Sequence, residues 1–100
     1  MEITSVIGAG VAETEIAVLQ NIGEDAVLLT SWILRNGEGT SYTFPQVKMF
    51  KDGIVQVHTS AGADSAVDLY WGRTQPVWHS GDIASLFDTL GNLRATYVIP

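Results

Sequence analysis

The sequence contains no cysteine, so its two histidines are the residues best suited to acid–base catalysis or to metal binding. His79 stands between Trp78 and Ser80 and is followed by Asp82, so one stretch holds the three residue types of a Ser-His-Asp hydrolase. Neighbouring residues in one turn cannot align nucleophile, base and orienting acid, since such triads draw on separate elements. A zinc site from His58, His79 and a carboxylate would need a further ligand at suitable geometry. We therefore assign no catalytic and no metal-ligating residue.

The carboxylates do not form the pattern of a calcium site or of an acid–base pair. Glu13 and Glu15 are interpreted as solvated charges at a strand start, and 24–25 as a solvated turn. Asp64 and Asp68 fall short of the 6–8 oxygens that calcium takes. The glycines are spread through turns and form no phosphate-binding loop. We expect no enzyme activity and no cofactor.

Composition narrows the class of partner. The chain of 100 residues carries a net charge of −6 with only 5 basic residues, whereas nucleic-acid binding requires clustered lysine and arginine. No apolar run approaches the ~18 residues of a membrane span. With 46% hydrophobic and 16% charged residues, the chain is too apolar for disorder and is expected to retain apolar surface. A protein partner, or a second copy of the chain, therefore fits better than DNA, RNA or a membrane.

Turn residues recur every 8–12 positions and divide the chain into short apolar stretches. Several are rich in β-branched and aromatic residues, and none has a helical period. A helix competes only for the apolar run 26–34, whose flanking turn clusters favour a strand. The predicted strands are 1–8, 15–21, 26–34, 40–44, 54–59, 83–87 and 93–99, and 47–50 is a short apolar piece between two of them. Seven to nine short strands without a helix predict an all-β antiparallel β-sandwich or a small barrel.

The connections carry their own signals. The dipeptide 36–37, Asn-Gly, predicts a hairpin turn because both residues tolerate a positive φ, and 52–53, Asp-Gly, repeats this tight-turn chemistry. The small and polar residues of 60–68 predict a mobile loop. The stretch 70–82 follows as a turn-rich aromatic loop that leads into the strand 83–87.

That aromatic loop has a structural interpretation and a functional one. Trp71 and Trp78 can each bury on the order of 150–250 Å², enough to hold a loop across the end of a sandwich. Gly81 is expected to supply a φ that a Cβ would forbid, and Asp82 to accept backbone N–H groups. Alternatively Trp71, Trp78 and Tyr70 form a stacking platform for a carbohydrate.

The chain resembles the lamin tail domain family over about 13–98. Three stretches carry the resemblance: 15–34, 42–53, and most specifically 70–91. Ser31 stands where the family usually has Gly, and Asp52 where it usually has Pro. The residues that mark this structural signature are Trp32, Trp71, Gly72, Trp78, Gly81 and Asp82.

The resemblance implies an immunoglobulin-like sandwich formed by one domain, 1–100, excised from a longer protein. It also implies an accessory interaction module of nucleases, hydrolases or surface proteins, in an extracellular or periplasmic setting. From the residues, Ile16, Val18 and Leu28 fall opposite the presumed core face and form a candidate contact patch. We expect binding of a protein partner first, self-association second and glycan binding third. Filament building would need a heptad rod, which this sequence does not contain.

Overall fold

The computed structural model describes residues 1–100, which form ten β-strands and no helix. The protein has no helix long and apolar enough to cross a membrane. The strands are β1 (Glu2–Ile7), β2 (Ile16–Gln20), β3 (Val27–Leu28), β4 (Ile33–Arg35), β5 (Ser41–Thr43), β6 (Lys48–Met49), β7 (Ile54–His58), β8 (Asp68–Tyr70), β9 (Ile83–Phe87) and β10 (Leu93–Val98).

Two four-stranded sheets and a two-stranded sheet make up the molecule. The first sheet has the order β1-β2-β7-β8, the second has the order β10-β9-β4-β5, and β3 pairs with β6. All pairings are antiparallel except that of β7 with β8. The predicted all-β, immunoglobulin-like sandwich is therefore confirmed.

The core lies between the sheets and follows the two-residue period of the strands. On β2, Ala17 and Leu19 are buried while Ile16 and Val18 lie on the opposite face. Fully burying one aliphatic or aromatic side chain contributes about 1.5–3 kcal/mol, so this alternation fixes which face packs inward. The core comprises Ile3, Val6, Ala17, Leu19, Leu29, Trp32, Leu34, Tyr42, Phe44, Val47, Met49, Val55, Val57, Leu69, Val77, Trp78, Ala84, Leu86 and Ile99.

The predicted continuous strand 26–34 is wrong, because a turn divides it into β3 and β4. The N–H of Trp32 donates to the carbonyl of Leu29 over 2.8 Å, and Ser31 adopts φ 66°. Leu29 and Trp32 stay buried on either side of the turn. The turn moves the chain from the two-stranded sheet to the second sheet, so one run of sequence contributes a strand to each of them.

The hairpin of β4 and β5 exists, but its turn differs from the predicted Asn-Gly turn. The N–H of Asn36 donates to the carbonyl of Thr40, and the positive φ falls on Gly39 instead of Gly37. Asn36 is buried, and its Oδ1 accepts the N–H groups of Glu38 and Thr40. The buried Asn36 side chain therefore determines the conformation of this loop, which is wider than a two-residue turn.

The predicted loop 60–68 leads into a strand that the sequence did not reveal. Asp68 begins β8, which lies parallel to β7 at the end of the first sheet. On the free side of β8, the N–H of Tyr70 donates to Asp64 Oδ1 over 2.9 Å. The N–H of Ser65 donates to the carbonyl of Asp68 over 2.8 Å. The loop thus satisfies backbone groups that another strand would otherwise pair.

Candidate functional site

The segment 71–82, between β8 and β9, is fixed by side chains that are distant in sequence. The Glu15 carboxylate accepts the N–H groups of Val77 (2.8 Å), Trp78 (3.1 Å) and Gly10 (2.9 Å). Glu15 is only 1% exposed, so its interpretation as a solvated charge is wrong. Three backbone donors replace the water that burial removes from the carboxylate. Asn36 Nδ2 also donates to the carbonyl of Val77 over 2.9 Å.

The tryptophans belong mainly to the core. Trp78 is 1% exposed, and the half-buried Trp71 lies with its ring centroid 6.2 Å from that of Trp78 and 5.5 Å from that of Tyr42. Trp32 is buried, and the Arg94 guanidinium lies 5.1 Å from its ring centroid. A sugar stacks only on an accessible ring face. The predicted glycan platform containing Trp78 therefore does not agree with the structure.

The turn before β9 is organised by Asp82. Its Oδ1 accepts the N–H groups of Gly37 (2.9 Å) and Ile83 (2.8 Å), joining this turn to the β4–β5 loop. Gly81 has φ 84° and Gly72 has φ 79°, both in the region that favours glycine. The signature glycines and Asp82 are thus turn residues at the two ends of the aromatic loop.

Beside this turn, the structure brings together Glu38, His79 and Asp82. His79 Nε2 lies 3.0 Å from Glu38 Oε1 and 3.9 Å from Asp82 Oδ2, while Nδ1 lies 2.9 Å from the carbonyl of Ser80. The hydrogen bond to Ser80, then that to Glu38, then the nearby carboxylate charges raise the pKa of His79 above 6.5. Glu38 is 41 residues away in sequence, which is why the spacing of residues did not indicate this cluster.

His58 lies in a separate environment on β7. Its Nε2 is 2.9 Å from Asp68 Oδ1, and its ring stacks on Tyr70 with centroids 4.4 Å apart. Each histidine therefore has its own carboxylate partners, and the considered zinc site containing both is not formed.

The predicted contact patch is divided between two surfaces. Ile16 and Val18 lie half-buried on the outer face of the first sheet, whereas Leu28 is exposed on the two-stranded sheet. Val18 is paired with Gln56, which places Ile54 diagonally beside it on the same outer face. The patch thus continues toward the connection between β6 and β7.

An apolar groove of about 170 Å³ lies at that connection. Phe50, Ile54 and Val67 line it while remaining 65%, 47% and 52% exposed. Lys48 also lines it, with its ammonium 5.3 Å from the Phe50 ring centroid. We call this feature the apolar groove; its full lining is Lys48, Met49, Phe50, Gly53, Ile54, Val55, Ala66 and Val67. The sequence signal for it was the apolar pair flanking the turn 51–53.

The family model described as Lamin Tail Domain matches residues 1–100, a range that includes both the His79 cluster and the apolar groove. No curated protein matches the chain.

Proposed function

The chain belongs to the lamin tail domain family, and we propose that it is a module that binds a partner protein through the apolar groove. The family consists of non-catalytic immunoglobulin-like interaction or structural domains. We further propose that the module serves a larger surface or secreted protein as an accessory domain. The resemblance of the segments around Trp32 and Trp78 to this family supports that assignment.

The observation that carries the proposal is the exposure of three large apolar side chains around one concavity. Phe50, Ile54 and Val67 are already partly buried, so complete burial of each would contribute roughly half of the 1.5–3 kcal/mol that transfer from full exposure supplies. Apolar and aromatic anchors of this kind dominate the binding energy of protein interfaces when they enter a desolvated pocket. A short apolar segment of a partner would bury all three at once.

Charge and neighbouring residues narrow the partner's chemistry. Lys48 at the rim of the groove favours an acidic residue beside the apolar ones, because it supplies a positive charge where the domain as a whole is negative. Val18 lies next to Ile54, and Leu28 pairs with Lys48 across the two-stranded sheet. We propose that these residues, with Ile16, extend the contact beyond the groove.

Selection of peptides from a random library on the immobilised domain tests this function. We expect enriched sequences with clustered apolar residues and an adjacent Asp or Glu. Affinity of a selected peptide is then measured by fluorescence anisotropy for the wild type and for Ile54→Glu. The variant should weaken binding at least about tenfold, equal to about 1.4 kcal/mol.

A matched control is Leu90→Glu, which adds the same charge at an exposed residue of the Asp88–Asn92 turn, outside the groove. It should leave the affinity within about twofold of the wild type. Equal affinity of the Ile54 variant and the wild type, or enrichment of sequences without apolar residues, would contradict binding in the groove.

Self-association is the second candidate function, and the end of the second sheet favours it. β10 has a paired strand on one side only, and Leu93 and Val98 on it are exposed. On its other side β10 lies beside β1 without strand pairing, so contact with another copy would use these exposed apolar side chains and not an open edge. Sedimentation equilibrium over a wide concentration range should show a reversible dimer that Val98→Lys abolishes. A monomer at every concentration would reject this candidate.

A further inference from the structure

We infer that Glu38, His79 and Asp82 form a binding site for a divalent ion of the Zn²⁺ class. The site lies where the β4–β5 loop meets the turn before β9, and it shares no residue with the apolar groove. It is therefore independent of partner binding in the groove.

The distances fit a small tetrahedral ion. One ligand atom from each of the three residues lies within 4.8 Å of the others. His79 Nε2 is 3.0 Å from Glu38 Oε1 and 3.9 Å from Asp82 Oδ2. A Zn²⁺ ion with bonds of about 2.0–2.1 Å places its ligand atoms about 3.3 Å apart. These two separations bracket that value, so an adjustment of the exposed Glu38 side chain would bring the ligand atoms toward tetrahedral spacing while His79 keeps its hydrogen bond to Ser80.

An unpartnered carboxylate oxygen aimed at this position supplies a second, independent observation. The Asp82 side chain is only 4% exposed. Its Oδ1 accepts two backbone N–H groups, yet its buried Oδ2 has no hydrogen-bond donor. Buried polar atoms are almost always satisfied, and an ionised oxygen without a donor is especially costly. A cation between Oδ2 and His79 Nε2 would remove that cost.

The hydrogen bond to Ser80 prepares His79 as a ligand. A backbone carbonyl can only accept, so Nδ1 carries the hydrogen and the lone pair of the neutral ring lies on Nε2. Metal-binding histidines are typically oriented in this way by a carbonyl or carboxylate at the other ring nitrogen. When no ion is bound, a proton on Nε2 bridges His79 to Glu38, so metal and proton compete for one position.

The donor set indicates the class of ion. One imidazole nitrogen suits Zn²⁺ and its neighbours in the first transition row, whereas Ca²⁺ takes 6–8 oxygens and Mg²⁺ prefers an oxygen octahedron. Three protein ligands leave a fourth position for water. Glu38 and His79 are exposed, which gives the ion access from solvent. A bound ion would tie together two loops that are 41 residues apart in sequence.

Calorimetric titration of the metal-free protein with Zn²⁺ tests the inference, with Co²⁺ absorption as a probe of coordination. We expect saturable 1:1 binding and the visible bands of four-coordinate Co²⁺. Glu38→Gln and His79→Gln should each weaken Zn²⁺ binding at least tenfold, since even residues that only orient ligands cost about 10–100-fold. The matched control, His58→Gln, removes the other histidine and should leave binding within about twofold.

Circular dichroism checks that each variant is folded, and the exposed position of Glu38 provides a variant whose folding is not at issue. Absence of saturable Zn²⁺ binding to the wild type would overturn the site. So would wild-type affinity in Glu38→Gln and His79→Gln, or an equal loss in His58→Gln, which would indicate nonspecific binding to surface histidines.

Discussion

At the scale of single residues, buried polar side chains determine the loops of this domain. Glu15, Asn36 and Asp82 each bind backbone groups in segments that lack a strand partner. Buried backbone N–H and C=O groups must be satisfied, and here side chains do so where no ladder exists. The segment 71–82, which connects β8 to β9, therefore keeps a defined backbone path although it contains no strand.

Glu15→Ala is expected to lower the free energy of unfolding by on the order of 3 kcal/mol, because the buried N–H groups of Val77 and Trp78 and the part-buried N–H of Gly10 lose a charged acceptor. Chemical denaturation followed by tryptophan fluorescence measures the change. The exposed neighbour Glu13 offers a matched control, and Glu13→Ala should stay within about 0.5 kcal/mol of the wild type. Similar midpoints for the two variants would mean that the Glu15 contacts contribute little.

The sequence revealed some of these residues and concealed others for a physical reason. Asp82 follows Gly81, and a Gly-Asp turn before an apolar run has a local meaning that can be predicted. Glu15 binds amides 62 and 63 residues away, and a carboxylate at a strand start looks the same whether it is solvated or buried. The pairing of Glu38 with His79 is likewise a product of tertiary structure.

At the scale of elements, the hydrophobic pattern predicted the positions of the strands more accurately than the breaks between them. The run 26–34 is apolar except for Thr30 and Ser31, and two small hydroxyl residues, which also occur within strands, did not mark the boundary between β3 and β4. In the turn that separates the two strands, the residue with positive φ is Ser31, whereas a glycine at this position would have signalled a turn. Strand β8 was missed because it is short, pairs in parallel and follows a polar loop.

Ser31→Gly is expected to stabilise the domain by about 0.5–1 kcal/mol, because a non-glycine residue at φ 66° is strained by roughly 1–2 kcal/mol and the added chain entropy offsets part of the gain. The melting temperature should rise accordingly. Ser41→Gly, in the extended strand β5, is the control and should lower it. Destabilisation by both substitutions would show that the Ser31 turn carries no strain.

At the scale of the whole molecule, Tyr42 marks the side where the two sheets approach each other. It lies on β5 of the second sheet, 5.1 Å from the Phe44 ring and 5.5 Å from the Trp71 ring that follows β8 of the first. Burial, followed by the charge of Asp64, raises the pKa of Tyr42 from 10.0 to about 12. The packed arrangement of the two sheets therefore favours the neutral form of the Tyr42 phenol.

Alkaline stability should report this coupling. A pKa that is higher in the folded state contributes stability fully below pH 10, and the contribution is lost as pH rises toward about 12. Denaturation midpoints measured across that range should fall more steeply for the wild type than for Tyr42→Phe. Absorbance at alkaline pH should show a late phenolate step that the variant lacks. Parallel pH profiles for the two proteins would refute the assignment.

The hydrogen bonds that the segment 71–82 donates to Glu15 imply that this segment is rigid although it contains no strand. The amide protons of Val77 and Trp78 lie outside every strand, yet they are buried against the carboxylate of Glu15, the residue immediately before β2. Their exchange with solvent deuterium should be as slow as that of central strand amides, because release requires the carboxylate to leave the interior. The segment would then be a loop by its backbone conformation but would open to solvent as rarely as the strands of the sandwich.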